Sequence, residues 1–303
     1  MLYSGSYVCP QGLLDKAKAF RAVRTVVVGA AEALTLESAK QAAEEGLINP
    51  ILVGEKEKIA RLANELDWDI SGVEIADCSG EQEIAAKGIG FASSGEASLI
   101  MKGHIHTDSL LRAVLNKEAG LRIGKRLSHV FHMSVPDSDR DFLISDAALN
   151  VAPDRTTMLD IVRNSVLTAQ ALGTEAPKVA CLTASESVST AMPLTEEAAW
   201  LAEQDFGSAV VGGPFAFDNA VSADAAKIKG IDHPVAGNAD VLIVPNIECG
   251  NMLFKSMVYL RGATAAGLVL GAKVPVIVTS RADPPAARLA SVALAAVVSN
   301  HAA

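Results

Sequence analysis

The sequence predicts an α/β protein with mostly parallel sheets in two domains, and three observations carry the prediction. Half of the 303 residues are hydrophobic but only 4% are aromatic, so the core must be built from Ala, Val, Leu and Ile. Short apolar runs alternate with helical patterns along the chain, the grammar of βα units. The runs themselves are too continuously apolar to keep a wet face, as expected of strands covered by helices on both sides. A chain of this length suits two domains of ordinary size.

The elements follow in order. "TVVVGA" reads as a strand, and "LESAKQAAEE" as a helix that Gly46 closes in a C-cap position. "PILVGE" is the next strand, followed by "EKIARLANEL", "VEIADC", "EQEIAAKGIGFA" and "ASLIMKG" in the same alternation. The second half repeats it with "KVACLTA", a helix begun by Thr195 with Glu196 and Glu197 in its first turn, "SAVVGG", "DVLIVPN" and "GLVLGAKVPVIVTSR". No fixed-period repeat or low-complexity segment interrupts the series. The burst of polar residues in "VPDSDRD", at Pro136, reads as a domain boundary.

Composition excludes several classes of function. A formal net charge of -9 argues against nucleic acid as the main partner. No apolar run reaches the roughly 18 residues of a membrane span, and "MLYSGSYVCPQG" lacks the charged leader and apolar stretch of a secretory signal. Cys9, Cys78, Cys181 and Cys249 form no CxxC pair, which fits reduced thiols in a cytoplasmic protein.

In open α/β sheets, ligands bind where strands deliver their carboxyl ends into loops, so four strand ends stand out. After "LIMKG", Lys102 and Gly103 precede Thr107 and Asp108, which can cap a helix, and then Arg112, Lys117, Arg122, Lys125 and Arg126 crowd together. That cluster is either a solvated basic face or an anion site. His104, His106, His129 and His132 lie in the same region, but without an HExxH or a matching carboxylate or Cys signature no metal site is expected. After "LISD", Asp146 and Asn150 suit helix capping as well as ligand contact. After "DVLIVPN", a turn through Cys249, Gly250 and Asn251 leads into a helix on which Asn251 and Lys255 share a face. Gly250 there would let backbone approach a ligand closely. Cys249 is read as a small thiol rather than an acyl-accepting nucleophile, because no histidine neighbours it in sequence. The fourth end is Ser280-Arg281-Ala282-Asp283 followed by two prolines. Ser can cap the final helix and Pro suits its first turn, but neither needs Arg281 between them.

These residues also carry a resemblance. "MKG", "LLRAVLNKEAGLR", "SDAALNVAPD", "KVACLTASE", "GGPFAFDNAVS", "VPNIECGNMLFK" and "GAKVPVIVTSRAD", in this order, resemble the phosphate acetyltransferase and phosphate butyryltransferase family, the butyryl branch most closely. The resemblance implies two α/β domains of the isocitrate/isopropylmalate dehydrogenase-like fold, a cleft between them holding the active site, and a homodimer. It also implies a discontinuous first domain, residues 1–136 plus 273–303, around a second, dimerising domain of residues 137–272.

The implied reaction is acyl-CoA plus phosphate giving acyl phosphate plus CoA, with a short acyl chain and no cofactor beyond the CoA substrates. A CoA thiol with a pKa of about 8.5 is only a few per cent thiolate at neutral pH, so a base or a cation must raise that fraction. By resemblance, Ser280 hydrogen-bonds the reacting thiol or carbonyl and Arg281 holds phosphate and the developing charge. Lys102, Asn251 and Lys255 complete the anion cradle, with Gly103, Thr107, Arg126, Ser128 and Gly250 as further phosphate or CoA contacts. One position departs from the family pattern: acetyl-specific relatives usually carry Asp seven residues after the motif serine, where this chain has Ala287. Either Asp283 takes that role or cations alone lower the thiol pKa. Two rival readings are a metal- and NAD-dependent dehydrogenase on the same fold, for which only Asp218 and Asp224 stand near a strand end, and a non-catalytic acyl-CoA or phosphate-binding protein.

Overall fold

A computed structural model describes residues 2–280 and 282–301. The chain forms two compact units, and each is interrupted in sequence. The first comprises Tyr7–Lys125 and the residues from Ala266 onward; the second comprises Arg126–Ala265 and the residues up to Ser6.

The first unit opens with helix α1 (Gln11–Lys18), then β1 (Val23–Val28), α2 (Ala33–Glu44), β2 (Ile48–Gly54), α3 (Lys56–Glu65), β3 (Glu74–Asp77), α4 (Glu81–Ser94), β4 (Leu99–Lys102) and α5 (Thr107–Val114). Strand β1 pairs in parallel with β2 on one side and β4 on the other, and β2 pairs in parallel with β3. The strands are as apolar as the sequence suggests, with Val26, Val27, Val28, Ile51, Leu52, Leu99 and Ile100 all fully buried. Gly46 takes the left-handed backbone just beyond α2, at φ +74°, as a C-terminal glycine should.

The second unit contains β5 (Ser128–Ser134), β6 (Phe142–Ser145), α6 (Arg155–Ala171), β7 (Lys178–Leu182), α7 (Pro193–Ala202), β8 (Val210–Phe215), α8 (Phe217–Val221), α9 (Ala223–Ile228), β9 (Val241–Ile243) and α10 (Ile247–Arg261). Its strands run in the order β5-β6-β9-β7-β8, all parallel except the antiparallel pair β5 and β6. Helix α7 begins at Pro193, two residues before the Thr195 that the sequence proposed as its cap. Proline supplies the preset φ of a first helical residue, and Thr195 sits inside, its hydroxyl donating back to the Met192 carbonyl at 2.7 Å.

The chain then returns to the first unit through β10 (Thr264–Leu270), β11 (Val276–Ile277) and α11 (Pro285–His301). Strand β11 pairs antiparallel with β10 and parallel with β4. Helix α11 is buried on every side from Ala287 to Ser299, which explains why it has no polar face. It packs on α1, α2 and the strands β1, β4 and β11.

The units change over between Lys125 and Arg126 and between Ala265 and Ala266, where the sequence reading put the crossings at Pro136 and Lys273. The reason is visible in the pairing. "VPDSDRD" is the connection of the β5–β6 hairpin, with Phe131 opposite Ile144 and Met133 opposite Phe142, so its polar burst marks a turn inside one unit. No helix among the described residues is long and apolar enough to cross a membrane.

Candidate active site

In the first unit, β1, β4 and β11 lie side by side and parallel, so their carboxyl ends reach one edge of the sheet. Gly29 follows β1 and Gly103 follows β4. Their backbones approach so closely that a Cβ on Gly103 would stand 2.4 Å from the Gly29 carbonyl oxygen. The N–H of Gly103 donates to Val28 O and that of His104 to Gly29 O, both at 2.8 Å. Lys102, half-buried, ends β4 with its Nζ 3.4 Å from the Gly103 carbonyl. Thr107 is exposed at the first position of α5, and the preceding residue, His106, is the N-cap, without a side-chain capping bond. The sequence had given that capping role to Thr107 and Asp108. His106 Nδ1 instead lies 2.7 Å from Glu81 Oε2.

Beyond β11 the chain forms a tight turn. Asp283 accepts the Ser280 backbone N–H at 2.7 Å, the Asp283 N–H returns to the Ser280 carbonyl at 3.1 Å, and the Ser280 hydroxyl accepts from the Ala282 N–H at 3.2 Å. Ser280 therefore caps its own turn, and α11 starts afterwards at Pro285. The Ser280 side chain is exposed, and its hydroxyl hydrogen has no acceptor among the described residues. Arg281 lies outside the described residues. A pocket of about 40 Å³ opens here, lined by Glu32, Thr35, Ser38, Lys102, Gly103 and Ser280 with Arg288.

Arg288 is the residue that the sequence reading passed over. It is only 7% exposed, yet its guanidinium keeps three contacts: Nε donates to Ser38 Oγ at 2.9 Å, Nη1 donates to the Asp283 carbonyl at 2.6 Å, and Nη2 stands 4.0 Å from Glu37. Burial pushes the Glu32 carboxyl up, but hydrogen bonds from the Thr35 N–H and hydroxyl outweigh it and hold the pKa below the ordinary value. Glu32 is therefore an anion committed to capping α2.

In the second unit, α10 starts at Ile247, with Asn246 as its N-cap accepting the Cys249 N–H at 2.9 Å. Cys249, Gly250 and Asn251 thus belong to the helix, where the sequence had read a turn. The close neighbours of Gly250 belong to the fold itself. A Cβ there would meet Ala147 Cα and Val244 Cγ2 at 2.8 Å, so the glycine lets α10 seat against the strand ends behind it. Asn251 Nδ2 reaches the Ala147 carbonyl at 3.4 Å, and Lys255 is exposed one turn on, its Nζ 5.9 Å from the Phe254 ring centre. Phe254 stacks on Phe131 of β5 at 4.2 Å, which fixes this face of the helix. Cys249 is exposed.

Other predicted contacts in this unit are occupied by the fold. Arg126 is exposed, and its backbone N–H donates to Asp160 at 2.9 Å. Ser128 is fully buried and its hydroxyl accepts from Asn164 Nδ2 at 2.8 Å, tying β5 to α6. Asp146 turns its carboxylate back on the N–H groups of Ala148, Leu149 and Asn150 at 3.0 to 3.2 Å, and on Asn150 Nδ2. The basic residues Arg112, Lys117, Arg122 and Lys125 are all exposed. A larger pocket of about 450 Å³ at the ends of β7 and β9 holds none of the predicted site residues. Of its charged residues, Arg155 and Glu197 pair with each other at 2.6 Å, and Asp154 accepts the Thr157 N–H at 2.8 Å. Among the described residues, no group of three or more His, Cys, Asp or Glu could hold a metal ion. Asp218 instead pairs with Lys229 at 3.1 Å.

The constellation of a lysine, a serine and a buried arginine at parallel strand ends is suited to an anion and to a developing oxyanion. The profile of the phosphate acetyl/butaryl transferase family matches residues 11–89 and 81–296. A phosphate acetyltransferase of Rhizobium meliloti is 44% identical over 289 residues, covering 94% of this chain and 92% of its own. A phosphate butyryltransferase of Clostridium beijerinckii is 40% identical over 290 residues, covering 94% of this chain and 96% of its own. The crystal structure of a branched-chain phosphotransacylase from Enterococcus faecalis V583 superposes with a TM-score of 0.81 at 32% identity, over 92% of this chain and 99% of that one. The chain belongs to the phosphate acetyl/butaryl transferase family, and it is a transferase with the mixed α/β fold and largely parallel strands of its relatives.

Proposed function

We propose that the protein catalyses reversible acyl transfer between CoA and inorganic phosphate, acyl-CoA plus phosphate giving acyl phosphate plus CoA, with a short acyl chain. The observation that carries the proposal is the family match from residue 11 to residue 296, shared by relatives named for acetyl and for butyryl transfer. The particular acyl chain is left to assay.

The reading assigns roles as follows. A phosphate oxygen attacks the acyl carbonyl carbon, the C–S bond breaks, and the departing thiolate takes up the proton that the attacking hydrogen phosphate gives up. Ser280 donates its hydroxyl hydrogen to the carbonyl oxygen or the thiolate sulfur as charge grows there. Arg281 holds phosphate through a planar, bidentate guanidinium, and Lys102 supplies a second cation from the end of β4. Asn251 and Lys255, which share one face of α10, act on the same substrates, and Gly103, Thr107, Arg126, Ser128 and Gly250 support these contacts. No cofactor enters; CoA is a substrate.

The proposal extends to two domains of the isocitrate/isopropylmalate dehydrogenase-like fold, with the first discontinuous, and to a homodimer in the cytoplasm. The scattered thiols, with no CxxC pair, support the cytoplasmic setting.

The test is acyl phosphate formation from C2 to C6 acyl-CoA thioesters and phosphate, trapped as the hydroxamate, with CoA release followed in parallel. Stoichiometric appearance of both products supports the assignment. Thioester binding without acyl phosphate would make the protein a binding module, and NAD reduction dependent on a divalent metal would make it a dehydrogenase.

A further inference from the structure

We infer that Arg288 is a positioning residue for the transfer reaction: it fixes the Ser280–Asp283 turn at the end of β11 and thereby aims the Ser280 hydroxyl. The inference rests on the role proposed above for Ser280, and it adds a residue from a helix that otherwise reads as pure core. Helix α11 is buried from Ala287 to Ser299, and Arg288 is its one ionised side chain in that stretch. A buried charge costs several kcal/mol unless its donors are met, so a guanidinium kept there signals contacts that an apolar residue cannot supply.

Those contacts form a chain. Ser38, on α2, receives Nε at 2.9 Å, and the Asp283 carbonyl receives Nη1 at 2.6 Å. The Asp283 carboxylate in turn accepts the Ser280 N–H at 2.7 Å. One planar group thus bridges α2 to the turn, and the turn is closed on Ser280 from the other side. The Ser38 hydroxyl is itself anchored, donating to the Leu34 carbonyl at 2.8 Å. Glu37 is 56% exposed and 4.0 Å from Nη2, so it is too remote and too wet to be the reason the arginine is retained. The guanidinium also lines the pocket that Lys102 and Ser280 share. Its positive charge therefore lies on the side where the reaction gathers negative charge.

A planar fork is required because Nε and Nη1 must serve acceptors on two different elements at once. Lysine keeps the charge but offers one nitrogen, and it cannot span both. Arg288→Lys therefore keeps the charge and removes the fork, and Ser38→Ala removes one acceptor of the bridge while the guanidinium stays. Steady-state kinetics in the acyl phosphate-forming direction, with the folded fraction at assay temperature measured by circular dichroism, separate the outcomes. The expected result is a kcat lowered at least tenfold in Arg288→Lys and about threefold in Ser38→Ala, with KM for the thioester within twofold of wild type and a full folded fraction. Unchanged kcat in both variants overturns the inference. So does a kcat loss that only tracks the loss of folded protein, which would make Arg288 a structural tie. If the wild-type protein forms no acyl phosphate, the proposed reaction itself fails, a result read before any variant is made.

Discussion

The Asp283 carboxylate accepts the backbone N–H of Ser280 at 2.7 Å, and the Asp283 N–H donates back to the Ser280 carbonyl at 3.1 Å. This reciprocal pair speaks to the question raised by Ala287, which stands where acetyl-specific relatives usually carry an aspartate. A carboxylate committed to a backbone donor is a turn-closing group first. The Ala287 side chain is buried in the helix that follows.

Asp283→Asn should therefore lower turnover by about fivefold or less, the worth of about 1 kcal/mol as a charge-assisted hydrogen bond becomes a neutral one. The loss should be the same at every pH, since Asn retains an oxygen for the Ser280 N–H. A pH–rate comparison with wild type checks this. Recovery of the variant at alkaline pH, where a thiol ionises unaided, would instead make Asp283 the thiol base.

The close approach of Gly29 and Gly103 makes a second expectation. Gly103→Ala places a methyl group 2.4 Å from the Gly29 carbonyl oxygen and 2.7 Å from Thr35 Cγ2, and the backbone contact cannot be relieved by a side-chain rotation. Urea unfolding should show a loss of about 2 kcal/mol or more, and activity should fall because Lys102 is the adjacent residue. Gly90, exposed on α4 with nothing within 4 Å of its Cβ position, is the control. Gly90→Ala should be neutral or stabilising by about 0.5–1 kcal/mol.

Cys249 is exposed near the start of α10, and no histidine neighbours it in sequence. Direct transfer through a ternary complex is expected: initial-rate lines should intersect when both substrates vary, and Cys249→Ser should keep at least half of wild-type turnover. Parallel lines with acylated Cys249 in the mass spectrum would establish an acyl-enzyme instead.

His129 supplies a pH dependence of stability. Its ring is buried on β5, and desolvation lowers its pKa to about 4, against the opposing attraction of Asp146. Nδ1 has no hydrogen-bond partner among the described residues. In the unfolded chain the ring titrates near 6.5, so between about pH 6.5 and pH 4 the unfolded state binds the extra proton. Stability should fall as pH drops through that window, by a total of roughly 3 kcal/mol, and then level off for this group. Chemical denaturation at pH 7.5, 5.5 and 4.5 measures it, and His129→Phe should remove that part of the slope.

Much of the fold was legible because buried parallel strands are written as unbroken apolar runs. "TVVVGA", "PILVGE" and "DVLIVPN" all contain strands, and Gly46 closes α2 as read. The misreadings share a cause: a residue type with two uses was given the wrong one. Proline and aspartate in "VPDSDRD" mark a hairpin as readily as a linker, and only the pairing of β5 with β6 decides. Gly250 announces a close approach correctly, but the approaching group is Ala147, more than a hundred residues away in sequence. Thr195 and Thr107 are good caps displaced by their neighbours. In the site, Lys102 and Ser280 were legible because both follow apolar strands. Arg288 was not, since an arginine near a helix start looks solvated. A signal did exist: its helical neighbours at three and four residues are Pro285, Pro284, Ser291 and Val292, so no carboxylate on its own helix can pair with it.

Strand β11 contributes only two residues, yet it lies between β4 and β10 and joins them into one sheet. During synthesis that sheet cannot be closed when β4 leaves the ribosome, because residues 126–265 of the other unit are made first. At roughly 5–20 residues per second, those 140 residues take about 7–28 s. For that time the β4 edge, with Ile100 and Met101 on it, has its backbone groups unpaired and waiting. The nascent chain must therefore carry an unfinished sheet through the folding of an entire second body, and the last forty residues act as the closing stitch.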